Sequence, residues 1–294
     1  MPRRETDSNG LSTLLLALLI ALAPTLTGCE PVSRLDVRAT TDEEAPFRLG
    51  VLPTDELPGL QRRYRLLVEL LGERLQRPSE MVVSPDYDSL GALLGQGKIE
   101  LAWFSGVSYL RARRKYKVVP IARAVLKGKG TYRGVLMVRA DSSLRTIQDL
   151  KGKRFAYVDR DSGSGYLAAN RSLVQAGLSP LSDLASVAFT YNHLVSLQGV
   201  IDGRFDVAAV YENAVATYKG RLDGSKLRML TRTEEVPKDV VAAATTVPTK
   251  ACEAIWTMLE ELPRTVKGKA ALKELERSNP IDGFLRLSPG SELR

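Results

Sequence analysis

The chain has 294 residues, 44% hydrophobic and 26% charged, with a net charge of +8. That is enough for one large or two modest domains with real cores, in an ordinary soluble balance. His193 is the only histidine, and Cys29 and Cys252 are the only cysteines, which excludes a Cys/His metal centre.

In chain order, Arg3 and Arg4 precede an apolar run from Leu11 to Ala23. It has the length of a signal-peptide h-region and is too short to span a bilayer comfortably. Leu26-Thr27-Gly28-Cys29 follows at once and resembles the lipobox of bacterial lipoproteins. The resemblance implies a signal peptide over 1–28, lipidation of Cys29 and a chain anchored to a membrane in the periplasm or at the cell surface. Cys252 then has nothing to pair with and is expected as a small buried apolar residue. Residues 29–46 are polar without period and suit a tether.

Beyond the tether, periodicity predicts alternating strands and helices: a strand over 47–52, a helix over 60–75, a strand over 80–84, a short helix over 89–94 and a strand over 99–104. A dense basic run follows, Arg111, Arg113, Arg114, Lys115 and Lys117, read as a solvated helix face; the overall charge weakly supports an anionic ligand. The order then returns: a strand over 154–158, a Ser/Gly loop opening a helix that ends at Ala176-Gly177, a strand over 187–190, a helix over 194–201 and a strand over 205–210. The two series share one offset. Arg48 to Pro53 aligns with Arg154 to Asp159 (154 − 48 = 106), Gly97 to Ala102 with Gly203 to Ala208 (203 − 97 = 106), and Tyr87 with His193. Such spacing points to an internal duplication, two α/β units with a cleft between them. Ligands of open α/β sheets sit beyond the carboxyl ends of the strands, so Pro53–Glu56, Asp86-Tyr87, Asp159–Ser164, Asn192-His193 and Tyr211-Glu212 are expected to face the cleft.

The sharpest local signal is Asp161-Ser162-Gly163-Ser164-Gly165-Tyr166, between a predicted strand and helix. Free backbone N–H groups, the helix dipole and serine hydroxyls suit an oxyanion there, and a Ser-capped turn is the structural alternative. His193, placed like Tyr87, adds a neutral or protonated donor. A Ser164, His193, Asp206 triad can be written, but the glycine that a nucleophile elbow needs two residues before the serine is missing.

From about Phe47 to Pro248 these features resemble the phosphate/phosphite/phosphonate-binding proteins of ABC transporters. The motifs are Pro53-Thr54, Asp86-Tyr87, the Ile-Glu-Leu-Ala-Trp-Phe strand ending at Phe104, Tyr132, Asp149-Leu-Lys-Gly-Lys-Arg-Phe-Ala, the Ser/Gly loop, His193 and the strand after Gly203. The resemblance implies an α/β two-lobed periplasmic binding fold of type II, with mostly parallel sheets. One lobe spans 45–133 plus 236–294 and the other 134–235, with hinge crossings near Tyr132–Val138 and Met229–Val236. Tyr87 and Tyr132 are implied as ligand walls, Ser162, Gly163 and Ser164 as the anion cradle, His193 as its partner, and Glu212 and Asp239 as acids for the amino group of an aminoalkylphosphonate. Asn192 and Gly163 depart from the family pattern, where a small Ser-type residue and Thr are expected. The expected protein is thus a monomeric, lipid-anchored capture protein for a phosphorus oxyanion, with aminoalkyl- or alkylphosphonate ahead of phosphite and phosphate. It hands ligand to an ABC permease and uses no cofactor, metal, catalysis or nucleic acid. A sensory lipoprotein of the same fold and, further off, a Ser/His hydrolase are the alternatives.

Overall fold

The computed structural model describes residues 45–275 and 280–288. Cys29, the signal-peptide region and nearly all of the tether lie outside the described residues.

The elements run β1 (Phe47–Val51), α1 (Leu57–Leu75), β2 (Ser79–Val83), α2 (Tyr87–Gly95), β3 (Leu101–Phe104), α3 (Gly106–Lys115), β4 (Val118–Val125) and β5 (Thr131–Arg139). There follow β6 (Arg154–Tyr157), a π-type turn (Gly163–Leu167) continuing into α4 (Ala168–Gln175), β7 (Ser186–Phe189), α5 (His193–Ile201), β8 (Val207–Tyr211), α6 (Ala214–Thr217), β9 (Leu227–Pro237) and β10 (Val240–Ala244). The chain then forms α7 (Thr249–Glu261), α8 (Val266–Leu275) and β11 (Gly283–Arg286). Local sequence explains the longest helix. Pro58 sits in the first turn of α1, where its missing N–H costs nothing, and Leu60, Tyr64, Leu67 and Leu71 recur at helical spacing as the buried stripe.

Two mixed sheets result, ordered β11-β4-β10-β3-β1-β2 and β7-β6-β8-β5-β9. In the first, β1 lies parallel between β2 and β3, and β10 runs antiparallel to β3. In the second, β6 lies parallel between β7 and β8, and β5 runs antiparallel to β8. The 106-residue repeat is therefore a repeat of topology, and it extends to side chains. Arg48 donates from its backbone N (2.8 Å) and Nε (3.1 Å) to Glu100 Oε2 and from Nη2 (2.6 Å) to Oε1. Arg154 makes the same three bonds to Asp206, at 2.8, 3.1 and 2.8 Å. Each clamp ties the start of one strand to the turn before its parallel neighbour. Gly97 and Gly203 enter those turns with φ of 67° and 72°, a region only glycine adopts freely.

The second sheet is buried on both faces, so alternate residues go to different cores. Val135 and Met137 of β5 join Ala208 and Val210 of β8 on one side, while Leu136 and Val138 join Val207 and Ala209 on the other. Cys252 packs against the core of the first sheet but is only partly buried, because α7 covers that core from outside with Ile255, Met258 and Leu259 inward. The expected crossings at 132–138 and 229–236 lie inside β5 and β9, which pair with each other. The chain passes between sheets at 126–130 and 238–239, joined where Lys238 N donates to Gly130 O at 2.9 Å.

Candidate functional site

The residues that follow β1, β3 and β6, and the last residue of β8, meet in one cavity of about 50 Å³ between the sheets. Its wall is Leu52, Thr54, Tyr64, Tyr87, Trp103, Ser105, Tyr132, Ser162, Ser164, His193, Tyr211 and Asp239.

Four helix beginnings present residues to this wall. Asp86 caps α2 by accepting from Ser89 N (2.7 Å), leaving Tyr87 as the first helical residue. Asn192 caps α5 by accepting from Leu194 N (2.8 Å), which places His193 in the equivalent position. Ser105 caps α3 by accepting from Ser108 N (3.1 Å), and Ser162 caps the π-type turn by accepting from Gly165 N (3.0 Å). Each such end carries roughly half a positive charge in unpaired N–H groups. The Ser162 cap also fixes a direction. With a lone pair engaged by Gly165 N, the hydroxyl keeps its proton for another acceptor. Ser164 Oγ accepts a long bond, 3.4 Å, from the Tyr132 hydroxyl. β5 comes this close to the cradle because it carries Gly134: a Cβ there would stand 2.9 Å from the Ser164 carbonyl oxygen.

The wall thus holds many neutral donors, no lysine or arginine and one carboxylate. That carboxylate, Asp239, accepts from the Trp103 indole N–H through Oδ2 at 2.9 Å. Burial raises its pKa, held back by this bond and by Lys238 and Arg63. His193 is 4% exposed, its Nδ1 is buried without a hydrogen-bond partner among the described residues, and its ring meets that of Tyr211 edge-on at 4.7 Å. Burial, with help from Arg63, lowers its pKa to about 3. The imidazole is therefore a neutral donor.

This carries a stability consequence. Between the unfolded pKa of 6.5 and the folded value of about 3, the unfolded chain binds a proton that the folded chain does not. Stability is lost as pH falls through that window. Compared with His193→Asn, the wild type should lose about 2–3 kcal/mol more between pH 7 and pH 4.5. Urea melts of both proteins at the two pH values check this; equal losses would count against a neutral buried imidazole.

Six of the expected site residues, Tyr87, Tyr132, Ser162, Ser164, His193 and Asp239, come together in this wall. Gly163 contributes no side chain, and a Cβ on it would meet Val236 and Val107 at ordinary contact distance. Glu212 does not reach the cavity. It faces a separate concavity of about 200 Å³ shared with Glu235 and Lys238, and Arg232 Nε donates to it at 2.5 Å. Its neighbour Tyr211, the buried end of β8, takes the wall position. The Ser164, His193, Asp206 triad is not assembled either, since Asp206 is clamped by Arg154 at the opening residue of β6. Thr54 and Tyr211 fall within segments expected to face the cleft, though neither was singled out as a ligand contact; sequence reasoning missed Leu52, Tyr64, Trp103 and Ser105 as wall residues. Ser105 carried a readable signal, a serine directly between a strand and a helix. Tyr64 and Trp103, edge to face at 5.7 Å, had none beyond their aromatic character.

Residues 49–289 match the family of phosphonate periplasmic substrate-binding proteins of ABC transporters. The phosphate-import protein PhnD of Mycolicibacterium smegmatis is 24% identical over 240 residues, covering 76% of this chain and 74% of that protein. A binding-protein component of an ABC phosphonate transporter from Pseudomonas aeruginosa superposes with a TM-score of 0.75 at 16% identity, covering 83% of this chain and 82% of that one. PhnD1 from Prochlorococcus marinus, solved with methylphosphonate, gives 0.74 at 18% identity, covering 83% and 93%. The fold is thus the two-lobed α/β fold of periplasmic binding proteins, and the chain belongs to the phosphonate substrate-binding family of ABC transporters.

Proposed function

We propose that the interlobe cavity captures a small tetrahedral phosphorus oxyanion, such as methylphosphonate, phosphite or phosphate, for delivery to an ABC permease. One observation carries the reading: a cavity of about 50 Å³ at which four helix beginnings and several hydroxyls converge, with a single carboxylate and no cation in its wall. At roughly 10–15 Å³ per water-sized position, that volume holds about four such positions, close to the four or five heavy atoms of these anions. The roughly seven heavy atoms of 2-aminoethylphosphonate exceed it, and Glu212, the acid expected for that amine, stands elsewhere. Oriented dipoles stabilise an anion at helix beginnings. Asp239 selects a protonated one, because a carboxylate repels a bare dianion and accepts from a P–OH group.

The lobes divide at the crossings 126–130 and 238–239, the first built on 45–125 with 240–275 and 280–288 and the second on 131–237, hinged beside Lys238, whose Nζ donates to Pro280 O at 2.7 Å. Ligand spanning Ser162 and Ser164 on one side and Tyr87 and Asp239 on the other favours the closed arrangement. A lipid on Cys29 keeps the monomer beside its permease, a reading supported by the order Leu26-Thr27-Gly28-Cys29.

Calorimetric titration of the purified protein tests this. Methylphosphonate and phosphite should bind with micromolar or tighter Kd, 2-aminoethylphosphonate at least about tenfold more weakly, and sulfate not detectably. Tightest binding of the amino compound would overturn the size argument, and absence of binding by every phosphorus oxyanion would overturn the function.

A further inference from the structure

The wall holds no cation, yet one lies directly behind it. Arg63 is on the buried face of α1, 3% exposed. Its Nη1 donates to Thr54 Oγ1 at 3.0 Å, its Nη2 stands 3.4 Å from Asp55 Oδ2, and its Nε meets no acceptor at hydrogen-bonding geometry among the described residues. Asp55, with a side chain 6% exposed, is held more tightly by a second guanidinium: Arg221 Nη1 donates to Oδ1 at 2.7 Å. Arg221 also reaches Glu56 at 3.0 Å, but that carboxylate is 71% exposed and well screened. Two guanidinium groups share one buried carboxylate, and the remaining positive charge is met, among the described residues, only by the exposed Glu56 and, at the cavity wall, by Asp239; such a charge is costly to bury.

The place where this charge acts is readable from its neighbours. Burial lowers the pKa of His193 and raises those of Asp239, Tyr64 and Tyr211, and the Arg63 charge pulls all four of these wall residues downward. Thr54 offers a direct route: its oxygen accepts from the guanidinium, so its own hydroxyl proton is left for an acceptor in the cavity.

We propose that Arg63 is the counter-charge of the bound oxyanion, acting through Thr54 without touching the ligand, and that Arg221 sets its strength by holding Asp55. The idea rests on the oxyanion reading of the cavity. Arg221 belongs to the connection between α6 and β9 of the second lobe, while Asp55 and Arg63 belong to the first. Beside them the Tyr218 hydroxyl donates across the cleft to Thr54 O at 3.2 Å. Closure brings Arg221 to Asp55, draws that carboxylate away from Arg63 and raises the positive potential behind Thr54. Separation of the lobes returns Asp55 to Arg63 and weakens the site. Anion binding and closure then favour each other to the same extent.

Titration with methylphosphonate at pH 7.5 tests the idea on the wild type and four substitutions, with melting temperatures recorded alongside. Arg63→Met should weaken binding about 100-fold and Arg63→Lys less than about tenfold. Arg221→Gln should weaken it about tenfold, and that loss should vanish when Arg63→Met is already present. Asp55→Asn gives the opposite sign: binding tightens severalfold while the ligand-free protein melts at a lower temperature. A cluster serving only to hold the fold predicts that Asp55→Asn weakens binding, and that result overturns the proposal, as does an unchanged affinity in Arg63→Met. If Arg63→Met does not fold, Asp55→Asn and Arg63→Lys decide. A wild type that binds no phosphorus oxyanion removes the function and this proposal together; a wild type that binds while Asp55→Asn loosens removes this proposal alone.

Discussion

Alanine at both Ser162 and Ser164 is expected to weaken methylphosphonate binding about 1000-fold, or roughly 4 kcal/mol, as the loss of two hydrogen bonds to a charged ligand. The hydroxyl of Ser162 is aimed by its own capping bond, since Gly165 N occupies the acceptor side. Ser164 is set by the Tyr132 hydroxyl and by the close passage of β5 at Gly134. Removing Ser162 also costs a cap, about 1 kcal/mol of stability, so melting temperature and affinity should be measured together. A tenfold loss or less would mean that backbone N–H groups hold the anion and the serines merely shape the turn.

Asp239→Asn is the second large effect, and it changes choice more than strength. Trp103 holds Oδ2, leaving the other oxygen for a ligand. Around pH 6 the phosphorus oxyanions carry a proton and sulfate does not. The wild-type carboxylate therefore accepts from the former and repels the latter, while an amide donates to either. Affinity for phosphite should fall about 10- to 100-fold and sulfate should gain at least tenfold, so that their ratio drops by at least about 100. Calorimetry with both anions at pH 6 reads this. Sulfate still excluded by the variant would mean that shape, rather than charge, makes the choice.

Much of this site could be read from the chain because the duplication carries its own internal check. Tyr87 and His193 share the offset of the strands, and the structure sets both at the first position of equivalent helices. The Ser/Gly loop was legible for a local reason, a cap residue and glycines between a strand and a helix. The failure at Glu212 is equally instructive. In a strand, neighbouring residues face opposite sides, so choosing the acid over Tyr211 moved the reading by one position and onto the wrong face. Chemistry argued for the carboxylate, whereas packing placed the tyrosine inward with Arg232 holding its neighbour outside. Arg63 could not have been singled out from the sequence at all. It sits among Arg62, Arg65 and other charged residues of an amphipathic helix, and only the three-dimensional placement of Thr54 and Asp55 distinguishes it from them. The lobe crossings were misplaced by a few residues because β5 and β9 pair across about a hundred residues, a contact that local periodicity does not reveal.

The threading of the two sheets also sets an order of assembly. Every strand of the second sheet comes from one uninterrupted stretch, Thr131 to Pro237, so it needs nothing later in the chain. The first sheet keeps an unpaired edge at β3 until β10 arrives from beyond residue 239. Contacts of such separation in sequence form late. A chain emerging amino end first therefore completes its second lobe while the first is still open, and β10, which follows Asp239 directly, closes the sheet and the ligand site in the same step.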